Sequence, residues 1–236
     1  MRPPVFLTGP ADLDRDTIVL AGAEGRHATT VRRLGPGERV DITDGAGTMA
    51  ACVITAARPG AAELAVITRA FEPAPVPRLT VIQAIPKGDR GELAAETMTE
   101  VGVDVLVPWA AERCVVRWRG DKADKGAARW RATAIAAAKQ SRRSWLPEVT
   151  AMASTAEVAA RVTATVSDGK GLAVLLDPDA DQPLAAVAAD RGLTEIILLV
   201  GPEGGIAPAE ASLLAGAGAV GARLGPTVLR ASSAGA

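Results

Sequence analysis

The chain has 236 residues, 48% of them hydrophobic, and a formal net charge of −1. This near-neutral balance argues against a protein that binds nucleic acid through its overall charge, so any basic surface must be local. Cys52 and Cys114 are far apart and His27 is the only histidine, which argues against a disulfide framework and a zinc site. The sequence has no signal-peptide core and no apolar stretch of membrane-spanning length. We therefore expect a cytoplasmic protein that binds neither a metal nor a membrane.

The first 72 residues predict a small domain rich in β-structure. Turn sequences at residues 44–47 (Asp-Gly-Ala-Gly) and 58–60 (Arg-Pro-Gly) separate short apolar runs. The strand candidates are residues 17–20, 39–43, 49–56 and 63–70. Several short strands joined by close turns indicate a small β-barrel.

One segment of this region, residues 24–34, predicts a helix instead of a strand. It carries Arg26, His27, Arg32 and Arg33 before a Gly-Pro-Gly stop. The arginines fit contacts with nucleic-acid phosphates or, alternatively, a solvated basic face without a partner. His27 fits the same contact or a purely structural role.

A change of pattern at a proline-rich segment, residues 73–77, divides the chain. Prolines at alternate positions predict a stiff, extended linker. From residue 78 onward strands alternate with helices, which predicts a mostly parallel sheet with helices on both faces. The strand candidates are residues 79–85, 103–107, 172–176, 196–200 and 220–224, and the helix candidates are residues 90–101, 125–141 and 183–189 and a helix beginning near Pro208.

The most informative stretch is residues 196–205, where five apolar residues run directly into Gly-Pro-Glu-Gly-Gly. The apolar run predicts a buried strand, and Pro208 with Glu210 indicates a helix start. Ligands bind at the carboxyl ends of strands in open α/β sheets, and glycines there let the backbone approach a ligand closely. A second glycine loop, residues 225–230, follows the next strand candidate. Two neighbouring loops predict one pocket; the alternative is two ordinary turns.

Residues 112–143 form a strongly basic segment, with ten basic and three acidic residues. Trp118, Trp130 and Trp145 lie in or beside it. Basic groups interleaved with aromatic rings favour contact with a nucleic-acid backbone and stacking on bases. The alternative is a solvated helix face with the tryptophans in the core.

Short motifs spread over nearly the whole chain resemble those of one known protein family. They are Leu-Leu-Val-Gly-Pro-Glu-Gly-Gly at 198–205, Arg-Leu-Gly-Pro-Thr-Val-Leu-Arg at 223–230, Lys-Gly-Asp-Arg at 87–90, Thr-Glu-Val-Gly-Val at 99–103, Arg-Cys-Val-Val-Arg at 113–117 and Ala-Lys-Gln-Ser at 138–141. Together they resemble the SPOUT superfamily of RNA methyltransferases and, within it, the family that methylates N3 of one uridine in 16S ribosomal RNA (m3U1498), often called RsmE. His27, with Val-Arg-Arg-Leu at 31–34 and Asp-Gly at 44–45, resembles the PUA-like RNA-binding domain that opens these enzymes.

The resemblance implies a two-domain architecture. A PUA-like β-barrel domain (residues 1–72) precedes an α/β SPOUT methyltransferase domain (residues 78–236) that carries a trefoil knot at its C-terminal end. The family implies a helix after the last loop, and a homodimer whose active site forms at the two-fold interface.

The resemblance also implies S-adenosylmethionine as the cofactor, held by three loops. The implied cofactor-binding residues are Leu175, Leu176, Asp177, Pro178, Val200, Gly201, Pro202, Glu203, Gly204, Gly205, Leu224, Gly225, Val228 and Leu229. Glu203 fits contact with the cofactor or, as we favour, bracing of its loop. The implied RNA-binding residues are Arg26, His27, Arg32, Arg33, Lys87, Arg90, Arg113, Arg117, Arg142 and Arg143.

Arg230 is the implied catalytic residue, because it directly follows the second glycine loop. Its guanidinium would stabilise the negative charge that develops on the base; a structural arginine is the alternative. Family members often have an acidic residue two positions later, where this chain has Ser232. Loss of the base proton to solvent fits the residues present.

The implied function is methylation of uridine N3 in the 16S rRNA of the small ribosomal subunit. Two alternatives stay open: methylation of another RNA, such as tRNA, and a non-catalytic RNA-binding or ribosome-assembly factor that keeps the fold. A dinucleotide oxidoreductase fits poorly, because no Gly-x-Gly-x-x-Gly follows the first strand of the α/β domain.

Overall fold

A computed structural model describes residues 2–189 and 192–236 of the protein. The chain forms two compact units. The first consists of Met1–Ala74 and Ala138–Leu146, and the second of Pro75–Ala137 and Pro147–Ala236. The inclusion of residues 138–146 in the first unit was not among the sequence-based expectations.

The first unit is built on a five-stranded sheet. Its strands are β1 (Val5–Leu7), β2 (Thr17–Leu20), β3 (Arg39–Thr43), β4 (Thr48–Arg58) and β5 (Ala61–Phe71). They lie in the order β1-β3-β4-β5-β2, with β1 parallel to β3 and the other pairs antiparallel. The two predicted turns join β3 to β4 and β4 to β5, which confirms both hairpins. Alternate residues such as Ile42, Ile54 and Leu64 fill the core.

The helix predicted for residues 24–34 is present but begins two residues earlier and ends three residues earlier. After α1 (Pro10–Leu13), helix α2 (Gly22–Arg26) continues into a π-helical segment, His27–Val31. The segment ends because Arg33 adopts a left-handed backbone conformation with φ of 56°. The N–H of Leu34 then donates to the carbonyl of Ala28, which satisfies a carbonyl at the helix end.

The second unit contains a six-stranded sheet in which every pair is parallel, as the alternating pattern predicted. Its strands are β6 (Arg78–Ala84), β7 (Val105–Trp109), β8 (Glu148–Val149), β9 (Gly171–Leu176), β10 (Glu195–Val200) and β11 (Val220–Ala222), in the order β11-β9-β10-β6-β7-β8. Because β9 lies between β10 and β11, the loops that follow these three strands meet at one edge of the sheet.

Helices cover both faces of this sheet. They are α3 (Arg90–Glu100), α4 (Asp121–Ser141), α5 (Thr155–Val166), α6 (Leu184–Ala188), α7 (Pro208–Gly216) and α8 (Ala231–Ala234). Ile82 packs in the core under α5 and α7, whereas its neighbour Val81 packs under α3 and α4. Successive residues of β6 thus serve opposite faces, as in any doubly covered sheet.

Helix α5 was not among the predicted helices, although the sequence at its start has a recognisable capping signal. Ser154 and Glu157 form a capping box, in which the Ser154 hydroxyl accepts from the N–H of Glu157 and the Glu157 carboxylate accepts from the N–H of Ser154. These hydrogen bonds lower the pKa of the Glu157 carboxyl.

Within residues 2–189 and 192–236, no helix is both long enough and apolar enough to cross a membrane.

Candidate cofactor pocket and basic surfaces

A cavity of about 440 Å³ lies where the loops after β9, β10 and β11 meet. This volume is within the range of roughly 300–1,000 Å³ that small-molecule sites occupy. Every residue predicted to bind the cofactor lines the cavity except Gly204. The other lining residues are Asp179, Ile206, Ala211, Thr227, Ala231 and Ala234. The structure therefore brings together loops that are up to about fifty positions apart in the sequence.

The cavity wall combines apolar side chains with carboxylates. Leucine, valine and isoleucine side chains cover much of it, and the acidic residues Asp177, Asp179 and Glu203 also line it. No lysine, arginine or histidine lines it within the described ranges. Asp177 accepts a hydrogen bond of 2.9 Å from the N–H of Asp179, which fixes the turn after β9. Such a wall suits a ligand that is largely apolar and carries positive rather than negative charge.

The shape of the glycine loop after β10 requires glycine at two positions. One position has no room for a side chain, and the other has a backbone conformation that favours glycine. A Cβ atom on Gly201 would lie 2.6 Å from Cγ1 of Ile206. Gly205 has φ of 74°, a conformation that L side chains rarely adopt. The loop backbone therefore approaches the cavity closely.

Glu203 ties the glycine loop to the loop after β6. One oxygen, Oε1, accepts from the backbone N–H of Lys87 at 3.2 Å and lies 3.5 Å from Nη1 of Arg90. On the other side of the loop, Nη1 of Arg113 donates to the carbonyl of Gly204 at 3.2 Å. These contacts agree with a bracing role for Glu203.

Arg230 stands at the start of α8, between the lining residues Leu229 and Ala231. Its backbone carbonyl accepts from the N–H groups of Ser233 and Ala234, whereas its side chain is exposed. The hydroxyl residue Ser232, two positions later, is buried. The predicted catalytic arginine therefore lies at the mouth of the cavity, and its guanidinium is accessible to a second substrate.

The basic residues predicted to bind RNA are divided between the two units, and Lys87, Arg90 and Arg113 of the second unit lie beside the glycine loop. Lys87 and Arg90 line an open groove with Leu93. Arg113 and Arg117 are exposed, and Nη2 of Arg117 donates to the carbonyl of Glu112 at 3.0 Å.

One of the three tryptophans, Trp130, does not provide the stacking surface that the basic segment suggested, whereas Trp118 and Trp145 are partly exposed. Trp130 is completely buried between α3 and α4, where Gly91 leaves room for its ring. Trp118 packs against it edge to face, with ring centroids 5.7 Å apart. For Trp130 the prediction of base stacking is wrong, because a fully buried ring cannot reach a base.

In the first unit, the basic residues differ in what they contact. Arg26, Arg32 and Arg33 are exposed, and the His27 ring packs edge to face against Phe6 at 5.8 Å. Arg142 is more engaged: its Nη1 lies 3.4 Å from Asp41 and its Nη2 donates to the carbonyl of Pro3. Arg143 is partly buried and has a contact of its own.

The basic segment also contributes contacts that hold the fold. Lys139 forms an ion pair of 2.8 Å with Glu24 in the first unit and is largely buried. In the second unit, Arg129 lies 2.9 Å from Glu92, and Arg131 donates to the carbonyl of Val149. Much of the local positive charge is therefore neutralised or committed within the protein.

Glu210 was predicted only to mark the start of a helix, yet its carboxylate is buried beside Glu112, the first residue of the basic segment. Oε1 accepts from the N–H of Glu112 at 3.0 Å and from the Thr155 hydroxyl at 2.6 Å. Oε2 is buried and has no hydrogen-bond partner within the described part of the chain. Burial raises the pKa of the nearby Cys114 thiol, and the Glu210 carboxylate raises it further. Cys114 is therefore poorly suited to act as a thiolate nucleophile.

Two family models match the chain. The model described as RNA methyltransferase domain matches residues 72–236, and the model described as RNA methyltransferase PUA domain matches residues 20–67. The fold and the cavity thus belong to an RNA methyltransferase with a PUA domain.

Individual proteins similar to this chain identify one family among the RNA methyltransferases with a PUA domain. The ribosomal RNA small subunit methyltransferase E of Mycobacterium bovis is 46% identical over 92% of this chain and 82% of its own length. The protein of the same name from Bacillus subtilis is 28% identical over 92% of this chain and 86% of its own length. The crystal structure of ribosomal RNA small subunit methyltransferase E from Neisseria gonorrhoeae bound to S-adenosyl methionine matches with a TM-score of 0.86, at 26% identity, over 99% of this chain and 94% of that one. The chain belongs to the ribosomal RNA small subunit methyltransferase E family.

Proposed function

We propose that the protein is an S-adenosylmethionine-dependent methyltransferase that methylates N3 of one uridine in the 16S rRNA of the small ribosomal subunit. The observation that carries the proposal is the cavity formed by three loops at the carboxyl ends of β9, β10 and β11. The family membership and the cofactor named for the Neisseria gonorrhoeae structure support the same conclusion.

The residues of the cavity fit S-adenosylmethionine. Its adenine and ribose suit the apolar side chains and exposed backbone groups of the three loops. Its positively charged sulfonium and ammonium groups suit Asp177, Asp179 and Glu203. A cofactor with several phosphates would instead meet three carboxylates and no basic side chain among the described lining residues. When bound, this cofactor supplies an electrophilic methyl group.

The protein's own contribution to the chemistry is positioning and charge stabilisation. Uracil N3 must lose a proton, and the negative charge that develops on the base must be stabilised. The exposed guanidinium of Arg230 at the mouth of the cavity is suited to this second task. Ser232 stands two positions after Arg230, where family members often have an acidic residue, and loss of the N3 proton to water fits this residue.

The proposal includes the finer family architecture. A Cβ atom on Gly235 would lie 2.9 Å from Met98 Sδ and from Val81 Cγ1, so the chain packs against α3 and β6 after leaving the edge strand β11. The passage of the chain from the edge strand back to the centre of the sheet supports a knotted SPOUT domain over residues 78–236. In the other domain, residues 1–72, a common core shared by the edge strands β1 and β2 supports a PUA-like barrel, with residues 73–77 as the linker.

A cytoplasmic homodimer is also part of the proposal. Exposed apolar side chains near the cavity, such as Leu213 of α7 and Val228 of the last loop, support a second copy at this edge of the sheet. The proposed RNA contacts are the ten residues of both units that the resemblance implies, most of which are exposed. Arg142 fits this role less well than the others, because its guanidinium is already engaged.

Replacing Arg33 by glycine is expected to stabilise the fold while weakening RNA binding. Arg33 has φ of 56°, where a side chain costs about 1 kcal/mol relative to glycine. Its guanidinium is exposed and has no hydrogen bond or ion pair with the described residues. We expect a higher melting temperature and an RNA affinity lowered about 5-fold. The slope of log affinity against log salt concentration should fall by about one, the value for one lost phosphate contact. Thermal unfolding and RNA binding at several salt concentrations measure these effects.

Arg142→Gly is the matched control for this prediction. Arg142 has nearly the same backbone conformation, with φ of 62°, but its side chain contacts Asp41 and the carbonyl of Pro3. Loss of these contacts should offset the relief of backbone strain, so no stabilisation is expected. Unchanged RNA affinity in Arg33→Gly would argue against a role for Arg33 in binding RNA.

The proposed function is tested by incubating the protein with methyl-labelled S-adenosylmethionine and small ribosomal subunits from cells that lack the modification. Transfer of label to 16S rRNA is expected. Transfer to tRNA instead would favour a methyltransferase for another RNA. Cofactor binding without transfer to any RNA would favour a non-catalytic binding or assembly factor.

A further inference from the structure

Two exposed arginines hold the glycine loop from opposite sides. Nη1 of Arg90 lies 3.5 Å from Glu203 Oε1, and Nη1 of Arg113 donates to the carbonyl of Gly204 at 3.2 Å. Glu203 and Gly204 are consecutive residues of the loop that lines the cavity. Arg90 and Arg113 come from different segments, the start of α3 and the basic loop after β7. Both segments therefore influence the same two loop residues.

Each arginine uses only part of its hydrogen-bonding capacity in this contact. A guanidinium has five N–H donors in a planar fork. In both residues the contact involves Nη1, and Nε and Nη2 make no hydrogen bond with the described part of the chain. Because both residues are exposed, the free edge of each guanidinium is accessible to a phosphate. Arginine can thus bind a phosphate and the loop at the same time.

The contacts alone are too exposed to fix the loop firmly. The side chain of Arg90 is 49% exposed and that of Glu203 is 31% exposed, and exposed ion pairs contribute little because they must order two long side chains in water. A phosphate bound to the free edge would already hold each arginine in place. The glycine loop would then form its contacts with the two arginines at a lower entropic cost, because the arginine side chains are already ordered.

We propose that Arg90 and Arg113 couple RNA binding to cofactor binding, so that RNA on these arginines tightens the glycine loop around the cofactor. This inference rests on the proposed function and adds a positive linkage between its two substrates. Because linkage is reciprocal, bound cofactor must strengthen RNA binding by the same factor.

The linkage can be measured as the dissociation constant of S-adenosylmethionine with and without small ribosomal subunits that lack the modification. For the unaltered protein, we expect the subunits to lower the dissociation constant of S-adenosylmethionine by a factor of at least about 5, the lower end of typical allosteric coupling. In the double variant Arg90→Ala/Arg113→Ala, subunits should change it less than about 2-fold. Arg90→Lys/Arg113→Lys should retain intermediate coupling, because lysine keeps the charge without the planar fork.

Lys170→Ala is the control, since Lys170 is exposed and directly precedes β9, at the end of the strand opposite the cavity loop. Among the described residues, only its backbone is hydrogen-bonded. It should keep the full coupling. Full coupling in the double alanine variant, or no coupling in the unaltered protein, would overturn the inference while leaving the proposed function intact. Failure of the unaltered protein to bind S-adenosylmethionine at all would instead refute the proposed function.

Discussion

Gly205→Val is expected to raise the dissociation constant of S-adenosylmethionine by about 100-fold. Gly205 lines the cavity with φ of 74°, a conformation that is especially unfavourable for a β-branched residue. Valine must either adopt this strained conformation or move the loop. The strain corresponds to about 2–3 kcal/mol, or roughly 30- to 150-fold in a binding constant. A Cβ atom at this position would lie 3.8 Å from Nη1 of Arg113, an ordinary van der Waals distance, so the expected loss comes from the backbone conformation and not from a steric clash.

Gly216→Val provides the matched control for this loss of binding. Gly216 is the last residue of α7, and a Cβ atom there meets no other atom within 4 Å. Titration calorimetry should show cofactor affinity within about 2-fold of the unaltered protein, because neither the loop nor the cavity changes. If Gly205→Val bound the cofactor as tightly as this control, the glycine loop would not be part of the cofactor site.

Arg230→Ala is expected to lower kcat for methyl transfer by about 100- to 1,000-fold, the usual cost of removing one group that stabilises charge in a transition state. The Arg230 side chain is exposed at the mouth of the cavity, but Arg230 is not among the residues that line it. Cofactor affinity should therefore change less than about 2-fold. Single-turnover rates with saturating cofactor and subunits separate the chemical step from binding.

Two further variants sharpen this prediction. Arg230→Lys should recover part of the rate, because it restores a positive charge without the bidentate geometry of a guanidinium. Arg161→Ala removes an arginine of α5 that does not line the cavity, and it should keep the full rate. An Arg230→Ala protein as fast as this control would remove Arg230 from the chemistry and favour a structural arginine.

The sequence predicted the parallel sheet and the cavity well because both depend on local patterns. The apolar run before Gly201 specifies a buried strand, and the glycines that follow it specify a loop with close backbone approach. Parallel strands place such loops at one edge whatever the details of packing. For this reason the glycine loops at residues 201–205 and 225–230 could be assigned to one pocket from the pattern alone, whereas Leu175 was assigned to it by the family resemblance.

Side chains whose surroundings depend on tertiary packing were harder to predict. Trp130 in a basic segment suggested a stacking surface, but Ala127 and Ala134, three and four positions away, lie with it on the buried face of α4. This helical spacing was the signal for a core position. The contacts of Glu210 join three segments that are distant in the sequence, and no local pattern encodes them.

Short elements were missed for a related reason. Strand β1 has only three residues, too few to show an alternating pattern, and its pairing with β3 comes from the rest of the chain. The position of residues 138–146 in the first unit likewise follows from contacts such as that between Arg142 and Asp41, which no sequence spacing reveals.

The most direct test of the central claim is to identify the methylated atom. Small ribosomal subunits that lack the modification would be incubated with the protein and labelled S-adenosylmethionine, and the 16S rRNA would be digested and analysed by mass spectrometry. We predict a single labelled nucleotide, N3-methyluridine, that disappears when Gly205→Val replaces the unaltered protein. Label on a ribose, on another base or on several positions, or no label despite cofactor binding, would contradict the proposed activity.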